Sequence, residues 1–566
     1  MNKSVRTTRT LAVSTSAVVL LTLGACSDGD FDLSRQFGAD PYLPEPTNDI
    51  MPDMKVASVV GWEDGETPTV PDGLTITPYA QDLGNPRTVH TLPNGDVLVV
   101  QSQGPSGKPL NRPKDYIRGW IMSMAHGSGG GNPPETNKIT LLRDTNRDGE
   151  VDERSDLLTG LASPFGVAWI DDTLYVATTE AVISYPYELG QAQISEQPTL
   201  VTPLPGGPIN HHWTKDLALS PDGEMLYASV GSNSNVVERG LEAEKGRAAI
   251  WEIDRETGAS RVYASGLRNP NGLTFHPETG ELWTVVNERD ELGPNLVPDY
   301  MTSVEEDGFY GWPWSYYGDH VDERVMPRRP DMVEQAISPD YALSSHVAAL
   351  GLTFSNDSAL PEEYANGAFI GEHGSWNRDQ FNGYHVVYVP FENGEPAGMP
   401  QEVVTGFLDG DEARGRPVGV GIDGTGALLV ADDSGNTVWR VAAADGSTTD
   451  EVIGTDRVST AEAGGAVSSS EDNSTSSEGS AVAGSDSEAS SRASAADEPV
   501  TSSEQSDSEQ PTDSDASMSD SQSSDTNADA SVGDQSSGSA TEPSQTDIAP
   551  AVLPEGTVDA APEEAQ

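Results

Sequence analysis

Four polar residues stand where short apolar strands begin. They are His212 in Asn210-His-His-Trp-Thr-Lys-Asp-Leu217, Arg268 and Asn269 in Leu267-Arg-Asn-Pro, and Arg416 in Gly415-Arg-Pro-Val-Gly. Aligned without gaps on the strand that follows, His212 falls level with Arg268, and Arg416 level with Asn269. Imidazole is the side chain that exchanges a proton near neutrality, and guanidinium pairs carboxylates through two parallel hydrogen bonds. A histidine and two arginines facing one funnel make an anion-binding pocket with a built-in base. Taken singly, each would merely cap a loop; the shared place in a repeat favours convergence.

Other runs carry chemistry of their own. Asn287-Glu-Arg-Asp-Glu-Leu-Gly293 sets Asp290 and Glu291 among turn carbonyls, an oxygen-rich stretch suited to a hard cation such as calcium. Gly308-Phe-Tyr-Gly-Trp-Pro-Trp-Ser-Tyr-Tyr-Gly318 is dense in aromatics that could stack on a flat ring or sugar, or simply pack. His373-Gly-Ser-Trp-Asn-Arg378 contributes His373, Trp376 and Arg378, while its Ser375 lacks the Gly-x-Ser-x-Gly elbow of a serine hydrolase. Asp144-Thr-Asn-Arg-Asp-Gly-Glu-Val-Asp152 matches the first half of an oxygen-cage calcium loop, with Asp144, Asn146 and Asp148 at ligand spacing, Gly149 at the turn and Asp152 beyond. Ser155 stands where the closing Glu belongs. A structural calcium pinning this loop is the expectation. Gly127-Ser-Gly-Gly-Gly131 fits neither a Walker loop nor a dinucleotide fingerprint and is expected to be a flexible loop.

Something must bring these distant segments together. A hairpin grammar of alternating apolar strand, Pro/Gly turn and second apolar strand recurs six times. Its second strands are Asp96–Gln101, Thr173–Thr178, Met225–Gly231, Glu281–Asn287, Ala368–Glu372 and Ala427–Asp432. Repetition of small sheets predicts an all-β propeller, in which equivalent positions surround one axis. Six units of about 60 residues are longer than familiar blades, and the excess is expected in loops that carry function.

Composition brackets this body. Met1 to Ala25 combines basic residues with an apolar stretch and reads as an export signal. Leu23-Gly-Ala-Cys26 has the form of a lipobox, and Cys26 is the sole cysteine, so an intrachain disulfide is impossible and the thiol is expected to carry lipid. That predicts a periplasm-facing or cell-surface lipoprotein, with Ser27 pointing to the outer membrane, held to the membrane by its lipid alone. Residues 26–71 are expected to be mainly a linker, 72–444 the propeller, and 445–566 a disordered Ser-rich tail. This tail carries 27 acidic and two basic residues within a chain of net charge −60. Such acidity argues against nucleic acid as a partner. It suits a solvated surface in high salt or the docking of a basic redox protein.

Taken together, Gly266-Leu-Arg-Asn-Pro-Asn-Gly, Asn287-Glu-Arg-Asp-Glu, Phe309-Tyr-Gly-Trp-Pro-Trp-Ser-Tyr-Tyr-Gly318, Gly371-Glu-His-Gly-Ser-Trp-Asn-Arg378 and Gly415-Arg-Pro-Val-Gly-Val resemble a known family. It is that of the pyrroloquinoline quinone (PQQ) dependent sugar dehydrogenases, in its L-sorbosone dehydrogenase branch. The likeness covers roughly Gly73 to Val441. It implies a six-bladed β-propeller holding the quinone at the top of its axis, with His212 as the catalytic base, Arg268, Asn269 and Arg416 as cofactor contacts, and Asp290 and Glu291 at the calcium that polarises the quinone. Two departures stand out. Val418 replaces the family's second arginine, and the lysine of the soluble glucose enzymes has no match, leaving His373 or Arg378 to meet the cofactor's charge. A quinone makes a nucleotide site unnecessary, and without a Cys-x-x-Cys-His haem motif the electrons of a sugar substrate must leave to an external acceptor, a cytochrome or quinone. The competing expectations are a calcium-dependent propeller lactonase, which needs axial carboxylates around one metal, and a non-enzymatic binding propeller.

Overall fold

The computed structural model describes residues 31–47, 54–105 and 136–449. The expected export signal, Cys26, the 127–131 glycine run and nearly all of the acidic tail lie outside them. The described chain is almost wholly strand and loop, with helical turns of only three or four residues. No described helix is long and apolar enough to cross a membrane.

Six antiparallel sheets of four or five strands account for the body. Sheet I is Pro86–Thr91, Val97–Gln101, Lys138–Arg143 and Glu153–Leu158; sheet II is Val167–Ile170, Thr173–Ala177, Ala181–Pro186 and Thr199–Pro203. Sheet III is Leu217–Leu219, Met225–Val230, Ala249–Asp254 and Ser260–Ser265; sheet IV is Pro270–Phe275, Leu282–Val286, Pro298–Ser303 and Tyr341–Ser345. Sheet V is Ala349–Phe354, Gly367–Glu372, His385–Glu392 and Gln401–Val404. Sheet VI joins Pro417–Ile422, Leu428–Asp432 and Thr437–Ala443 to Leu74–Ala80, so its outer strand comes from the other end of the body. The six second strands are the six expected from the hairpin grammar.

First strands from all six sheets line one central channel of about 460 Å³, with Thr88, Val167, Leu217, Leu273, Leu352 and Val420 on its wall. Glycine lets neighbouring first strands close up: a Cβ on Gly351 would lie 2.2 Å from the Val418 carbonyl, and one on Gly419 would lie 2.5 Å from that of Arg87. Apolar side chains between sheets form the core. Trp283, Met301, Tyr341, Phe354 and Phe391 pack sheet IV on sheet V, and Leu98, Leu141, Val176 and Tyr185 pack sheet I on sheet II. Each sheet is thus covered on both faces, as the unbroken apolar second strands require.

Part of the expected linker is structured. Phe37–Gly38 adds a fifth strand to sheet IV, and Gln36 is fully buried with its amide donating to the Asn295 carbonyl at 2.6 Å. Trp62 packs edge-on against Trp439 and Phe407 and donates to Asp432 at 2.7 Å. An Asp/Pro-rich average hides a few anchoring residues, and these suffice to tie an extended segment down. At the other boundary the folded chain runs past Ala444, since the Thr449 amide donates to the Thr425 carbonyl at 2.9 Å.

Candidate active site

In each hairpin the first strand leaves the site end and the second returns to it, so the residues before the one and after the other share a rim. Prolines 86, 270 and 417 open three first strands, where a residue without an N–H is tolerated. Just beyond them the register slips, between Pro86 and Thr88, Asn271 and Thr274, and Pro417 and Val420, with a matching slip between Ala349 and Gly351. Such bulges re-aim side chains at a rim.

His212 lies on this rim before sheet III. Its Nδ1 is 2.9 Å from the Ser232 carbonyl and 3.0 Å from the Ser232 hydroxyl, which itself donates to the Ser234 carbonyl at 2.7 Å. A carbonyl only accepts, so Nδ1 carries the hydrogen and the neutral ring keeps its lone pair on Nε2. The Ser232 amide donates to the Arg268 carbonyl at 2.8 Å, coupling this anchor to sheet IV. Gly231 supplies the space: a Cβ there would lie 2.4 Å from Asn269 Oδ1 and 2.6 Å from the Cβ of His212. Asn269 is buried and its Oδ1 has no hydrogen-bond partner among the described residues. His212 and Asn269 therefore meet across one glycine.

Arg268 is buried and its guanidinium is held by the chain. It donates to the carbonyls of Asn287 at 3.1 Å and Glu288 at 2.7 Å and to Asn235 Oδ1 at 2.9 Å, and lies 3.4 Å from Asp290 Oδ2. It pins the 287–290 turn. Asp290 also receives Asn377 Nδ2 at 2.5 Å, and its carbonyl accepts from Asn235 at 3.1 Å and from Arg289. Glu291 adopts a positive φ of 71° and stands 3.9 Å from Arg324. Beneath the turn, Arg289 pairs with buried Asp322, while burial raises the pKa of Glu288 and lifts that of Asp299 well above the carboxylate range.

Elsewhere on the same rim, Arg416 donates from Nε to the His373 carbonyl at 2.9 Å and from Nη2 to that of Gly374 at 2.8 Å, and lies over the Tyr384 ring. His373 Nε2 is 3.0 and 3.1 Å from the two Asp433 oxygens. Burial, with the Arg416 charge beside it, pulls His373 down to about 4. Asp433 also pairs with Arg87, whose guanidinium sits 5.8 Å from the Phe165 ring centre and 5.9 Å from that of Trp213, next to His212. Arg378 points elsewhere: buried, it serves the carbonyl of Pro294 at 2.6 Å, the Ser345 hydroxyl at 2.5 Å and Asn295 at 3.0 Å. Trp376 is half-buried, and its carbonyl accepts from Lys55 at 3.1 Å.

The 144–152 loop folds its acceptors onto itself. Asp144 takes the amides of Arg147 at 2.7 Å and Gly149 at 2.7 Å, Asn146 that of Asp148 at 3.0 Å, Asp148 that of Glu150 at 2.9 Å, and Asp152 that of Thr145 at 2.7 Å. Arg147 reaches across to the Gly424 carbonyl at 2.7 Å, so the loop bridges sheets I and VI. Among the described residues no group of three or more His, Cys, Asp or Glu is arranged to hold a metal ion.

Arg87, Asp433 and Ser232 went unnoticed in the sequence. A signal for Arg87 existed, because Asn85-Pro86-Arg87 repeats the Asn269-Pro270-Asn271 start of sheet IV. Asp433 and Ser232 follow second strands, and only the fold shows that these exits share the rim.

The chain matches the TrAA12-like family over residues 140–306 and 331–444. It is 28% identical over 292 residues to an uncharacterized protein of Borreliella burgdorferi, covering 50% of this chain and 76% of that one. It is 23% identical over 367 residues to the pyrroloquinoline quinone-dependent pyranose dehydrogenase of Coprinopsis cinerea, covering 57% of this chain but only 44% of that enzyme. Among solved structures, the calcium structure of Trichoderma reesei Carbohydrate-Active Enzymes Family AA12 superposes with a TM-score of 0.54 at 19% identity over 67% of this chain and 97% of that one. The holo pyranose dehydrogenase PQQ domain of C. cinerea gives 0.53 at 19% identity over 68% and 100%. These likenesses establish the fold as a β-propeller.

Proposed function

We propose that the protein is a quinoprotein dehydrogenase that oxidises a sugar or sugar aldehyde, with the six four- and five-stranded sheets acting as six blades. The observation that carries this is the anchored imidazole of His212, its lone pair directed by Ser232 and flanked by an arginine-rich rim. A flat tricarboxylate suits this site: Arg416 and Arg87 can donate to carboxylates, Trp213 and Tyr384 flank it as rings, and Asn269 Oδ1, unpartnered among the described residues, can accept from an N–H or O–H of a ligand. When bound, PQQ would supply the two-electron acceptor that no side chain provides. His212 takes the proton of the substrate hydroxyl on Nε2, and the Ser232 carbonyl steadies the imidazolium that forms. Arg416 orients an acidic ligand, and Arg268 holds the 287–290 turn in place rather than donating outward. With His373 neutral in the ligand-free cluster and Arg378 spent on sheet IV, Arg87 is the permanent cation best placed to stand in for the arginine replaced by Val418.

Calcium at Asp290 and Glu291 or in the 144–152 loop belongs to the same reading, but a cation there would have to displace the hydrogen bonds that now occupy the loop acceptors and the Asp290 oxygens. The sorbosone-type substrate preference, delivery of electrons to an external cytochrome or quinone, and anchoring through Cys26 at the outer membrane complete it. One experiment separates the rivals. Purified protein stripped of ligands is assayed with aldoses, sorbosone and a dye acceptor, and separately with sugar lactones, each with and without PQQ and calcium. Dye reduction that requires added PQQ supports the dehydrogenase. Activity surviving complete quinone removal, lactone hydrolysis with calcium alone, or no activity at all would overturn it.

A further inference from the structure

The rim cluster of Arg87, His373, Arg416 and Asp433 is gathered from three sheets and has an uneven charge. Asp433 faces His373 Nε2 at 3.0 Å and pairs with Arg87, and Arg416 holds the His373 backbone carbonyl at 2.9 Å. His373's neighbour Glu372 is engaged elsewhere, at 2.7 Å from His385 Nε2. Two permanent cations thus confront one carboxylate and one imidazole. With the imidazole neutral the cluster carries one positive charge. The carboxylate fixes the His373 tautomer, since Nε2 must carry the hydrogen it donates, and Nδ1 is the atom able to accept another.

We infer that this cluster is a proton-coupled anion clamp: a carboxylate-bearing ligand seated at the rim is bound together with one solvent proton, which His373 takes up on Nδ1. Burial chiefly disfavours the imidazolium, and the charges of Arg416 and Arg87 add to it while the Asp433 carboxylate works against them. A ligand carboxylate against either guanidinium offsets that repulsion, and the favoured state becomes the charged imidazole between two carboxylates. No bond other than N–H is made, and the proton comes from water. By linkage, affinity for the anion rises as pH falls, by at most roughly tenfold per pH unit for one coupled proton. The inference rests on the reading that the rim receives an acidic quinone, yet any compact tricarboxylate should reveal it.

Two probes serve, PQQ and redox-silent benzene-1,3,5-tricarboxylate. Each is titrated calorimetrically into stripped full-length protein between about pH 6 and 8, where both are ionised, in buffers of differing ionisation enthalpy. The expected result is uptake of up to one proton per ligand, absent in His373→Gln. Asp433→Asn provides a second readout that a merely structural ion pair would not give. Removing the competing carboxylate should tighten the anion by about tenfold while reducing proton uptake. Tricarboxylate binding with uptake, but no binding of PQQ, would keep the clamp and sink the proposed cofactor. PQQ binding without proton uptake would overturn the clamp and leave the dehydrogenase standing. Failure of both probes to bind would overturn both.

Discussion

Ser232 decides which nitrogen of His212 carries the hydrogen and which the lone pair, and that constraint makes the proposed role of the histidine testable. His212→Ala should lower PQQ-dependent turnover by roughly two to four orders of magnitude. Quinone affinity, read by fluorescence titration, should change little, because the loss falls on a step rather than on binding. Near-normal turnover would move the role to His211 or His373. His346 offers a second test at this scale. Buried beside Asp290 and Asn377, it is pulled down to about 4, chiefly by burial. The unfolded chain binds a proton there near pH 6.5 and the folded one does not until about 4. Its contribution to stability is therefore present above 6.5 and lost as pH falls towards 4, and His346→Gln should flatten the acid limb of the thermal midpoint against pH. His212, Asn269 and Arg416 could be read from the sequence because each precedes a recognisable strand. Arg87 lies one place past a proline, inside the strand, where only the bulge turns it to the rim.

Hairpins were the most legible elements, since alternation and Pro/Gly turns are local. The second strand expected at Met225–Gly231 is found at Met225–Val230, and that expected at Ala427–Asp432 at Leu428–Asp432. The seating of Trp62 depends on partners hundreds of residues away and leaves no local pattern, and the bulges, though they fall within hairpins, are not marked by the alternation of the strands. Trp62→Ala should cost about 2–3 kcal/mol in a denaturant titration, from lost ring packing and one fewer donor to the buried Asp432 carboxylate. In sheet V, His385 bridges Glu372 and Glu402. Burial opposes its charge, but the Glu372 carboxylate prevails and lifts His385 to about 9. Its folded pKa exceeds the unfolded value, so this pair stabilises fully below about 6.5 and is lost as pH rises through about 9. Glu372→Gln should abolish that alkaline loss, as followed by thermal melts across the range.

At the scale of the molecule, the propeller could be foreseen from six repeats, whereas its closure could not, because Leu74–Ala80 resembles any strand until it is seen beside Thr437–Ala443. Among the described residues the six sheets are complete by Ala443. Deleting residues 450–566 should therefore leave the thermal midpoint and the PQQ-dependent activity on small sugars unchanged, while altering encounters with basic partners at low ionic strength. A large loss of either quantity in the shortened protein would show that the tail contributes to the fold.

The pairing of Leu74 with Ala443 also imposes a timetable. A ribosome completes the first partner roughly 370 residues before the second, so that strand waits with both edges open through most of synthesis. Sheets I to V can form in order behind it, but no intermediate length is a smaller working ring. Unpaired strand edges are the usual seeds of aggregation, which makes the interval before closure the vulnerable one. Chains arrested before Thr437 should be cut readily within Leu74–Ala80 by added protease, whereas chains released after Ala443 should resist.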